Sequence, residues 1–320
     1  MTGVINKDIS TSFKINRLYS ADIYKKIMSA PVDKKNDIYR YEMMLPFKGK
    51  WDCYHIPIKA EREGAYDIIM ANNLFGLLAP TKVDESWADA IEALSDQNLW
   101  ESCEASIVNS LSGFENAGIS LVEKEYLYSI LLANPDSPYT VMNDGYCGDG
   151  GIPGYIMAWL IPGKETISRL PAALAHETNH NVRYQFIKWT QNVNLGEMLV
   201  SEGLAENFAV SIYGEKFLGP WVTKTDMELM PLIKEIIHDG INVTGFENIT
   251  SYLYGDEMAR MRQFPEVGLP YCAGYAVGYY LVRYFLQKTK TPIEQATIMP
   301  ADEILSAVPE FWTDPVENNQ

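Results

Sequence analysis

The sequence has no long hydrophobic run and few cysteines. No stretch approaches the roughly 18 apolar residues of a membrane span, and residues 1–20 contain no apolar segment typical of a signal peptide. Cys53, Cys103, Cys147 and Cys272 are scattered without a CxxC pair, which argues against a disulfide framework or a zinc ribbon and favours buried free thiols. We therefore predict a cytoplasmic protein without a membrane span.

Basic residues are scarce relative to acidic ones. The chain has 26 Lys and Arg against 42 Asp and Glu, a formal net charge of −16. A surface this negative repels phosphate backbones and anionic membranes, so we expect neither nucleic acid nor a membrane as partner. The acidity favours cations but identifies no ligand, because many proteins are acidic for solubility alone. It does not determine the oligomeric state.

The first half of the chain mixes predicted helices and strands. Helical spacing predicts helices over 18–28 and 86–94, and β-leaning runs predict strands over 125–133 and 155–161. The glycine-rich run 144–154 lacks GxxxxGK[ST] and leads into a strand rather than a helix. We therefore predict a plain flexible loop there instead of a phosphate-binding loop.

Helices dominate the second half. Spacing and capping residues predict them over 168–188, 194–214, 226–238 and 271–289. Ser168 is the expected N-cap of the first, which places Pro171 in its opening turn. Asn194 and Glu197 form a capping-box-like pair at the start of the second.

The first of these helices carries an HExxH motif, from His176 through Glu177 to His180. Residues four apart project about 40° apart, so both imidazoles reach the same point, with Glu177 on the flank. Two neutral imidazoles can bind Zn²⁺, and the carboxylate can accept a proton from an activated water. The alternative is an accidental histidine pair on an amphipathic helix, expected in roughly three chains per thousand with this few histidines.

A catalytic zinc needs a third protein ligand and an open position. Glu202 and Glu206 lie one turn apart on the second helix, so Glu202 can bind the metal while Glu206 holds Nδ1 of a histidine. The two helix lengths bring both histidines and Glu202 to one level of a hairpin, and Gly203 and Ala205 suit close helix packing. The alternative for the two glutamates is a solvated charged stripe.

Four segments resemble a known family: ALAHETNHNVRYQ, LVSEGLAENFAVSIYGE, YLYG at 252–255 and AGYAVGYYLVRYF at 273–285. They look like a bacterial family of uncharacterised function described as predicted zinc-dependent proteases, with the strongest likeness over 125–285. That family belongs with the thermolysin-like gluzincins, whose HExxH is followed by a Glu ligand and, one turn later, an acidic residue. The resemblance departs at Glu206, where thermolysin has Asp.

Peptide hydrolysis also needs a donor for the oxyanion. Tyr271, Tyr275, Tyr279 and Tyr280 cluster in a run that is similar to the GYxxxYY segment of thimet-type oligopeptidases, where tyrosines have this role. By that match we predict Tyr275 as the donor. The alternative is core packing, which is typical of a Tyr/Gly stripe at helical spacing.

Other candidate residues carry a weaker signal. His55 and His238 are isolated and are predicted to be structural. Arg183 follows the zinc motif by three residues and could either bind a substrate carboxylate or pair with one of the many acids.

Together these features predict an α+β, zincin-like metallopeptidase. We expect a small mixed sheet whose edge strand at 155–161 lies next to the HExxH helix, a mainly helical C-terminal lobe and a cleft between them. The predicted organisation is a mixed α/β region at 1–120, a catalytic domain at 121–312 and a flexible tail at 313–320.

The predicted activity is cleavage of peptide or protein substrates with Zn²⁺ on His176, His180 and Glu202 and with Glu177 as general base. Two alternatives remain. One is a noncatalytic zinc-binding protein, against which the carboxylate of Glu177 argues. The other is a zinc hydrolase of small amides, which the sequence does not separate from a peptidase.

Overall fold

A computed structural model describes residues 12–62, 64–190 and 192–316. Strands within these ranges form one mixed sheet in the order β1-β2-β4-β3. They are β1 (Lys14–Arg17), β2 (Glu125–Leu132), β3 (Tyr146–Ile152) and β4 (Tyr155–Leu160). The first three in this order are parallel, and β3 runs antiparallel to β4 at the edge. The predicted small mixed sheet is therefore confirmed.

Helices cover the sheet and make up most of the rest of the described chain. They are α1 (Ser20–Ser29), α2 (Val32–Ile38), α3 (Lys48–Cys53), α4 (Ile68–Leu74), α5 (Ala88–Leu94), α6 (Gln97–Asn116), α7 (Pro138–Met142), α8 (Lys164–Phe186), α9 (Leu195–Tyr213), α10 (Pro220–Thr223), α11 (Met230–Asp239), α12 (Phe246–Tyr254), α13 (Asp256–Met261), α14 (Ala273–Thr289), α15 (Ile293–Thr297) and α16 (Ala301–Ala307). The described residues after β4 are thus mainly helical, as predicted.

Buried apolar side chains form two clusters that meet at α9. One contains the N-terminal helices, the sheet, α6 and α8, and the other contains α11, α12, α14 and α16. Phe208 of α9 belongs to the first and stacks on Phe114 of α6 at 4.9 Å, whereas Leu199 of α9 belongs to the second. The division of the chain at residue 120 stays a prediction.

The predicted loop at 144–154 is wrong, because most of it is strand β3. A Cβ at Gly148 would lie 2.5 Å from Glu177 Cγ, and one at Gly150 would lie 2.0 Å from the Glu177 carbonyl oxygen. The glycines therefore allow the strand to lie directly against α8. Close approach of another element explains glycine inside a strand, and spacing alone does not reveal it.

The prediction that 155–161 is an edge strand is also wrong. β4 is paired on both sides, with β2 and with β3, so β3 is the edge next to α8. The order in the sheet depends on long-range pairing, which the chain order of the strands does not determine.

Helix α8 begins earlier than predicted. Its N-cap is Gly163, and the N–H of Ile167 already bonds to the Gly163 carbonyl at 2.9 Å. Ser168 is inside the helix, where its hydroxyl donates to the Glu165 carbonyl, and Pro171 is interior. The missing N–H of proline removes one helical hydrogen bond, which the rest of this long helix tolerates.

The start of α9 follows the prediction. The side chain of Asn194 accepts the N–H of Glu197 at 2.7 Å, and Gly214 ends the helix with φ 86°. Helices α1, α5, α11 and α14 also match predicted segments. The prediction missed α6, although its buried residues recur at helical spacing.

Several further predictions concern the chain as a whole. Cys103, Cys147 and Cys272 are buried free thiols as predicted, whereas Cys53 is exposed. No helix in the described ranges is long and apolar enough to cross a bilayer. Within the predicted tail, Asp314 accepts bonds from Tyr284 and Lys234, and residues 317–320 lie outside the described part.

Candidate metal centre

Three predicted ligands meet where α8 contacts α9. Nε2 of His176 and Nε2 of His180 are 3.0 Å apart, and Oε2 of Glu202 lies 3.4 Å from the first and 3.3 Å from the second. Tetrahedral ligands at about 2.0–2.1 Å from Zn²⁺ stand about 3.3 Å from one another. The spacing of the three donor atoms therefore fits a zinc ion with one open position.

His176 is oriented through its other ring nitrogen. Nδ1 lies 2.9 Å from Oε2 of Glu206, which also accepts from the indole N–H of Trp221 at 2.8 Å. Oε1 of Glu206 accepts the N–H of Gly219 at 2.6 Å. The carboxylate is held by these donors, so a neutral His176 donates from Nδ1 and presents the lone pair of Nε2.

His180 has a different support that the sequence analysis missed. Its Nδ1 is 3.1 Å from Ser201 Oγ, which is 2.9 Å from the hydroxyl of Tyr184. Tyr184 follows His180 by one helical turn, and Ser201 directly precedes Glu202. These adjacencies are the signal that could have identified both residues.

The charges of the donor groups depend on one another. Burial disfavours the charged form of each, but the carboxylates of Glu202 and Glu206 raise the pKa of His176 well above its usual value. Burial alone would raise the pKa of Glu202, but the neighbouring His180 and His176 outweigh it and lower that pKa to about 2. Glu202 is therefore an ionised carboxylate, the form that binds a cation.

Glu177 lies beside the three donors and is fixed by the edge strand. Its Oε2 accepts the N–H of Gly150 at 2.7 Å. Burial raises the pKa of the Glu177 carboxyl above its ordinary value. A carboxylate with a raised pKa is a stronger base, which suits proton abstraction near neutral pH.

Asn181 attaches the β3–β4 hairpin to α8. The two hydrogens of its Nδ2 are shared among the carbonyls of Gly150 at 3.0 Å, Ile152 at 2.8 Å and Tyr155 at 2.9 Å. Its Oδ1 accepts the N–H of Gly154 at 2.9 Å. The strand that holds Glu177 is thus fixed to the helix that carries it, a role the sequence analysis did not assign.

The three predicted metal ligands line a cavity of about 590 Å³. Its walls are rich in aromatic side chains, which include Tyr54, Tyr139, Tyr184, Trp221, Tyr254 and Tyr275. A cavity of this volume holds a ligand the size of a short peptide.

Of the four tyrosines in the predicted cluster, Tyr275 is the one among the cavity-lining residues of the described chain. Its hydroxyl donates to that of Tyr254 at 3.2 Å. Tyr271 instead donates to Asn143 at 2.7 Å, and Tyr279 accepts from Arg283 at 3.1 Å. The structure therefore places the predicted oxyanion donor in the cavity and these two neighbours in other contacts.

Arg183 pairs with an acidic residue of the protein, which is the second of the two roles predicted for it. It is fully buried, and its guanidinium bonds Glu197 at 2.8 Å and the carbonyls of Thr297 and Met299. All its donors point into the protein, so it does not bind a substrate carboxylate. His238 stacks on Trp312 at 4.7 Å, which agrees with a structural role.

Comparison with known proteins gives matches over most of the chain. The model of a family described as predicted Zn-dependent protease (DUF2268) matches residues 99–306. The chain is also 35% identical over 291 residues to the uncharacterized protein YjfC of Bacillus subtilis (strain 168), a match that covers 91% of this chain and 96% of the relative. No solved structure gives a significant match. The matched residues include the three predicted metal ligands, His176, His180 and Glu202. The chain therefore belongs to this family of predicted Zn-dependent proteases.

Proposed function

We propose that this protein is a zinc-dependent peptidase of the gluzincin type with a zincin-like fold. The observation that carries the proposal is the position of Glu177, a buried carboxylate that lines the same cavity as His176, His180 and Glu202. Zinc that only stabilises a fold has no use for this carboxylate and has its fourth position closed by protein. The noncatalytic alternative is therefore less well supported.

The metal ligands and Glu177 have separate roles in the proposed reaction. His176, His180 and Glu202 would hold Zn²⁺, which when bound polarises the scissile carbonyl and lowers the pKa of water. Glu177 takes the proton from the attacking water and then delivers it to the leaving amine. Its bond to the Gly150 N–H keeps the carboxylate in place during both transfers.

Tyr275 is proposed as the oxyanion donor. Tyr275 lies on the wall of the same cavity as the metal ligands, and its hydroxyl, which donates to Tyr254 in the structure, would turn its single proton from Tyr254 to the oxyanion during the reaction. A phenol that donates to the oxygen of the former carbonyl stabilises the negative charge that develops there.

The edge strand β3 is the proposed binding surface for the substrate backbone. Gly148, Asp149 and Gly151 of this strand line the cavity, and β4 occupies only one side of the strand. An extended peptide could add by backbone hydrogen bonds to the part of the other side that Glu177, Asn181 and Lys50 do not already occupy. A cavity that continues along a strand suits a peptide better than a small amide.

The test compares Glu177→Gln with Glu165→Gln, an exposed carboxylate on the same helix. The purified proteins are assayed for zinc content and against a diverse peptide library, with and without chelator. Glu177→Gln should keep about one zinc per chain while kcat falls on the order of 10²-fold or more, and Glu165→Gln should match the wild type. Wild-type hydrolysis by zinc-loaded Glu177→Gln protein would exclude Glu177 as the base.

A further inference from the structure

Among the described residues, one positively charged lysine or arginine side chain, that of Arg262, lines the cavity. The carboxylates on the same wall include Asp149, which pairs with Lys50 at 2.7 Å, and Glu202, which faces the metal position. A ligand that enters the cavity therefore meets one guanidinium on a wall that also carries carboxylates and many aromatic rings.

Arg262 has no carboxylate partner among the described residues. Its guanidinium lies over the ring of Tyr254, 5.8 Å from the centroid, and the residue is half-buried. Arg260 of the same helix, by contrast, pairs with Glu266 at 2.9 Å on the surface. A guanidinium has a fork of donors that matches a carboxylate, so one that faces a cavity without an anion is suited to bind an anionic ligand.

The backbone that carries Arg262 is held in a defined geometry. Arg262 is the C-cap of α13, and the N–H of Phe264 bonds the carbonyl of Ala259 at 2.8 Å while that of Gln263 bonds Arg260 at 3.2 Å. Gln263 has φ 59°. These bonds and the left-handed residue form a Schellman motif. The side chain thus starts from a rigid position rather than a free loop.

Arg262 is connected to the metal centre through two tyrosines. Tyr254, under the guanidinium, bonds Tyr275 at 3.2 Å, and both phenols interact electrostatically with Glu202. One aromatic side chain therefore separates Arg262 from the residues around the metal ligands. A substrate segment of only a few residues spans that separation within the cavity volume.

We propose that Arg262 binds a carboxylate of the substrate and makes the protein selective for short peptides that carry a negative charge near the cleaved bond. The carboxylate is either the free C-terminus of the peptide or an Asp or Glu side chain, and both present the same two oxygens to the guanidinium. This inference rests on the proposed peptidase function and adds the substrate class to it.

The kinetic test uses peptides of about four residues in matched forms. One set has a free or an amidated C-terminus, and a second has an internal Glu or Gln. The wild type should show a KM about 10-fold to 100-fold lower for the charged member of one set, and the set that responds identifies the source of the carboxylate. Arg262→Gln should abolish this preference, because the KM for the charged peptide should rise to that for the uncharged one.

Two further variants show whether charge or folding is responsible. Arg262→Lys should keep part of the preference, because the ammonium retains the charge but loses the fork geometry. Arg260→Gln should behave like the wild type, because that side chain pairs with Glu266 outside the cavity. An undiminished preference in Arg262→Gln, or no preference in the wild type, would overturn the inference.

A binding measurement separates this inference from the peptidase proposal. Calorimetric titration of the matched peptides into Glu177→Gln protein, with and without Arg262→Gln, requires no turnover. Arg262-dependent binding of the charged peptides without hydrolysis by the wild type would retain Arg262 as the residue that binds the carboxylate and overturn the peptidase function. Hydrolysis by the wild type, together with equal affinity of the Glu177→Gln protein for charged and uncharged peptides or with no binding of either, would overturn the role of Arg262. The peptidase proposal would stand in that case.

Discussion

Glu202 and Glu206 occupy successive turns of α9 and have different surroundings. Glu202 faces the two Nε2 atoms, whereas Glu206 faces Nδ1 of His176 and the N–H groups of Gly219 and Trp221. Glu202 is therefore available to a cation, and the oxygens of Glu206 are occupied by donors. Residue type and spacing place both carboxylates on one helix face, but their neighbours separate their roles.

The role of Tyr275 can be tested by Tyr275→Phe. If its hydroxyl donates to the oxyanion, kcat should fall about 10-fold to 10³-fold with little change in KM. The bond to Tyr254 is lost as well, so the free energy of unfolding should fall by about 0.5 to 1.5 kcal/mol. Steady-state kinetics and chemical denaturation measure the two effects separately.

Tyr271→Phe is the matched control for this prediction. Tyr271 does not itself line the cavity, and its hydroxyl bonds Asn143, so stability should change by a similar amount while kcat stays near wild type. Equal and small effects on kcat at both positions would assign Tyr275 to packing alone.

At the scale of elements, α9 contacts α14 through two glycines. A Cβ at Gly203 would lie 2.0 Å from the Gly278 carbonyl oxygen, and one at Gly278 would lie 2.3 Å from that of Leu199. The backbones therefore approach too closely for any side chain at either position. This contact holds the helix that carries Glu202 against the second hydrophobic cluster.

Gly203→Ala should consequently destabilise the protein. Separating the helices to admit the methyl group should cost about 1 to 3 kcal/mol of unfolding free energy and lower zinc affinity, because Glu202 is the adjacent residue. The control is Gly113→Ala in α6, where an added Cβ meets nothing within 4 Å. That change should stabilise by about 0.5 to 1 kcal/mol. Destabilisation no larger than the control would contradict the contact.

A buried ion pair attaches β3 to the N-terminal helices. Lys50 of α3 is fully buried and lies 2.7 Å from Asp149, whose carboxylate also accepts from Tyr54 at 3.0 Å. Burial disfavours the ionised carboxylate, but the charge of Lys50 keeps the pKa of Asp149 below its usual value. The pair thus stabilises the fold while Asp149 is ionised.

Asp149→Asn should leave Lys50 without its counter-charge and cost about 3 kcal/mol at pH 7. A depressed folded-state pKa stabilises above the unfolded pKa of about 3.9, and this contribution is lost as pH falls through the folded value. The difference between wild type and variant should therefore shrink below about pH 4 in denaturation curves. Asp52→Asn, which breaks the exposed pair with Lys48, should cost less than about 1 kcal/mol.

At the scale of the whole molecule, the candidate metal centre joins the two hydrophobic clusters. α8 belongs to the first cluster, and α9 reaches into both. An ion on His176, His180 and Glu202 would link these helices directly and bind only the folded chain. Metal binding then adds to the stability of both clusters at once.

Chelation should therefore lower the thermal midpoint by about 5 °C or more, as measured by calorimetry at fixed protein concentration. His176→Ala protein, which lacks one donor, should melt near the chelated wild type and respond little to chelator. A wild-type midpoint that chelator leaves unchanged would contradict a metal that joins the two helices.

The sequence predicted the features of the fold that depend on neighbouring residues in the chain. It did not predict those that depend on contacts between distant elements. The end residues of α9 predicted that helix from local hydrogen bonds, since Asn194 and Gly214 act on their own neighbours. The 144–154 run was predicted as a flexible loop because it is rich in glycine and lacks the motif of a phosphate-binding loop. Contact with α8 overrides the local preference of glycine for loops, and no local pattern encodes that contact.

By itself, the sequence determined the set of candidate donors. Spacing of four residues on a helix places His176 with His180 and Glu202 with Glu206, because helix geometry is the same in any tertiary context. Only the tertiary structure decided what surrounds them: Ser201 behind His180, the edge strand β3 against Glu177, and Arg262 on the cavity wall. These contacts join residues from separate elements, and the packing of those elements depends on the whole chain.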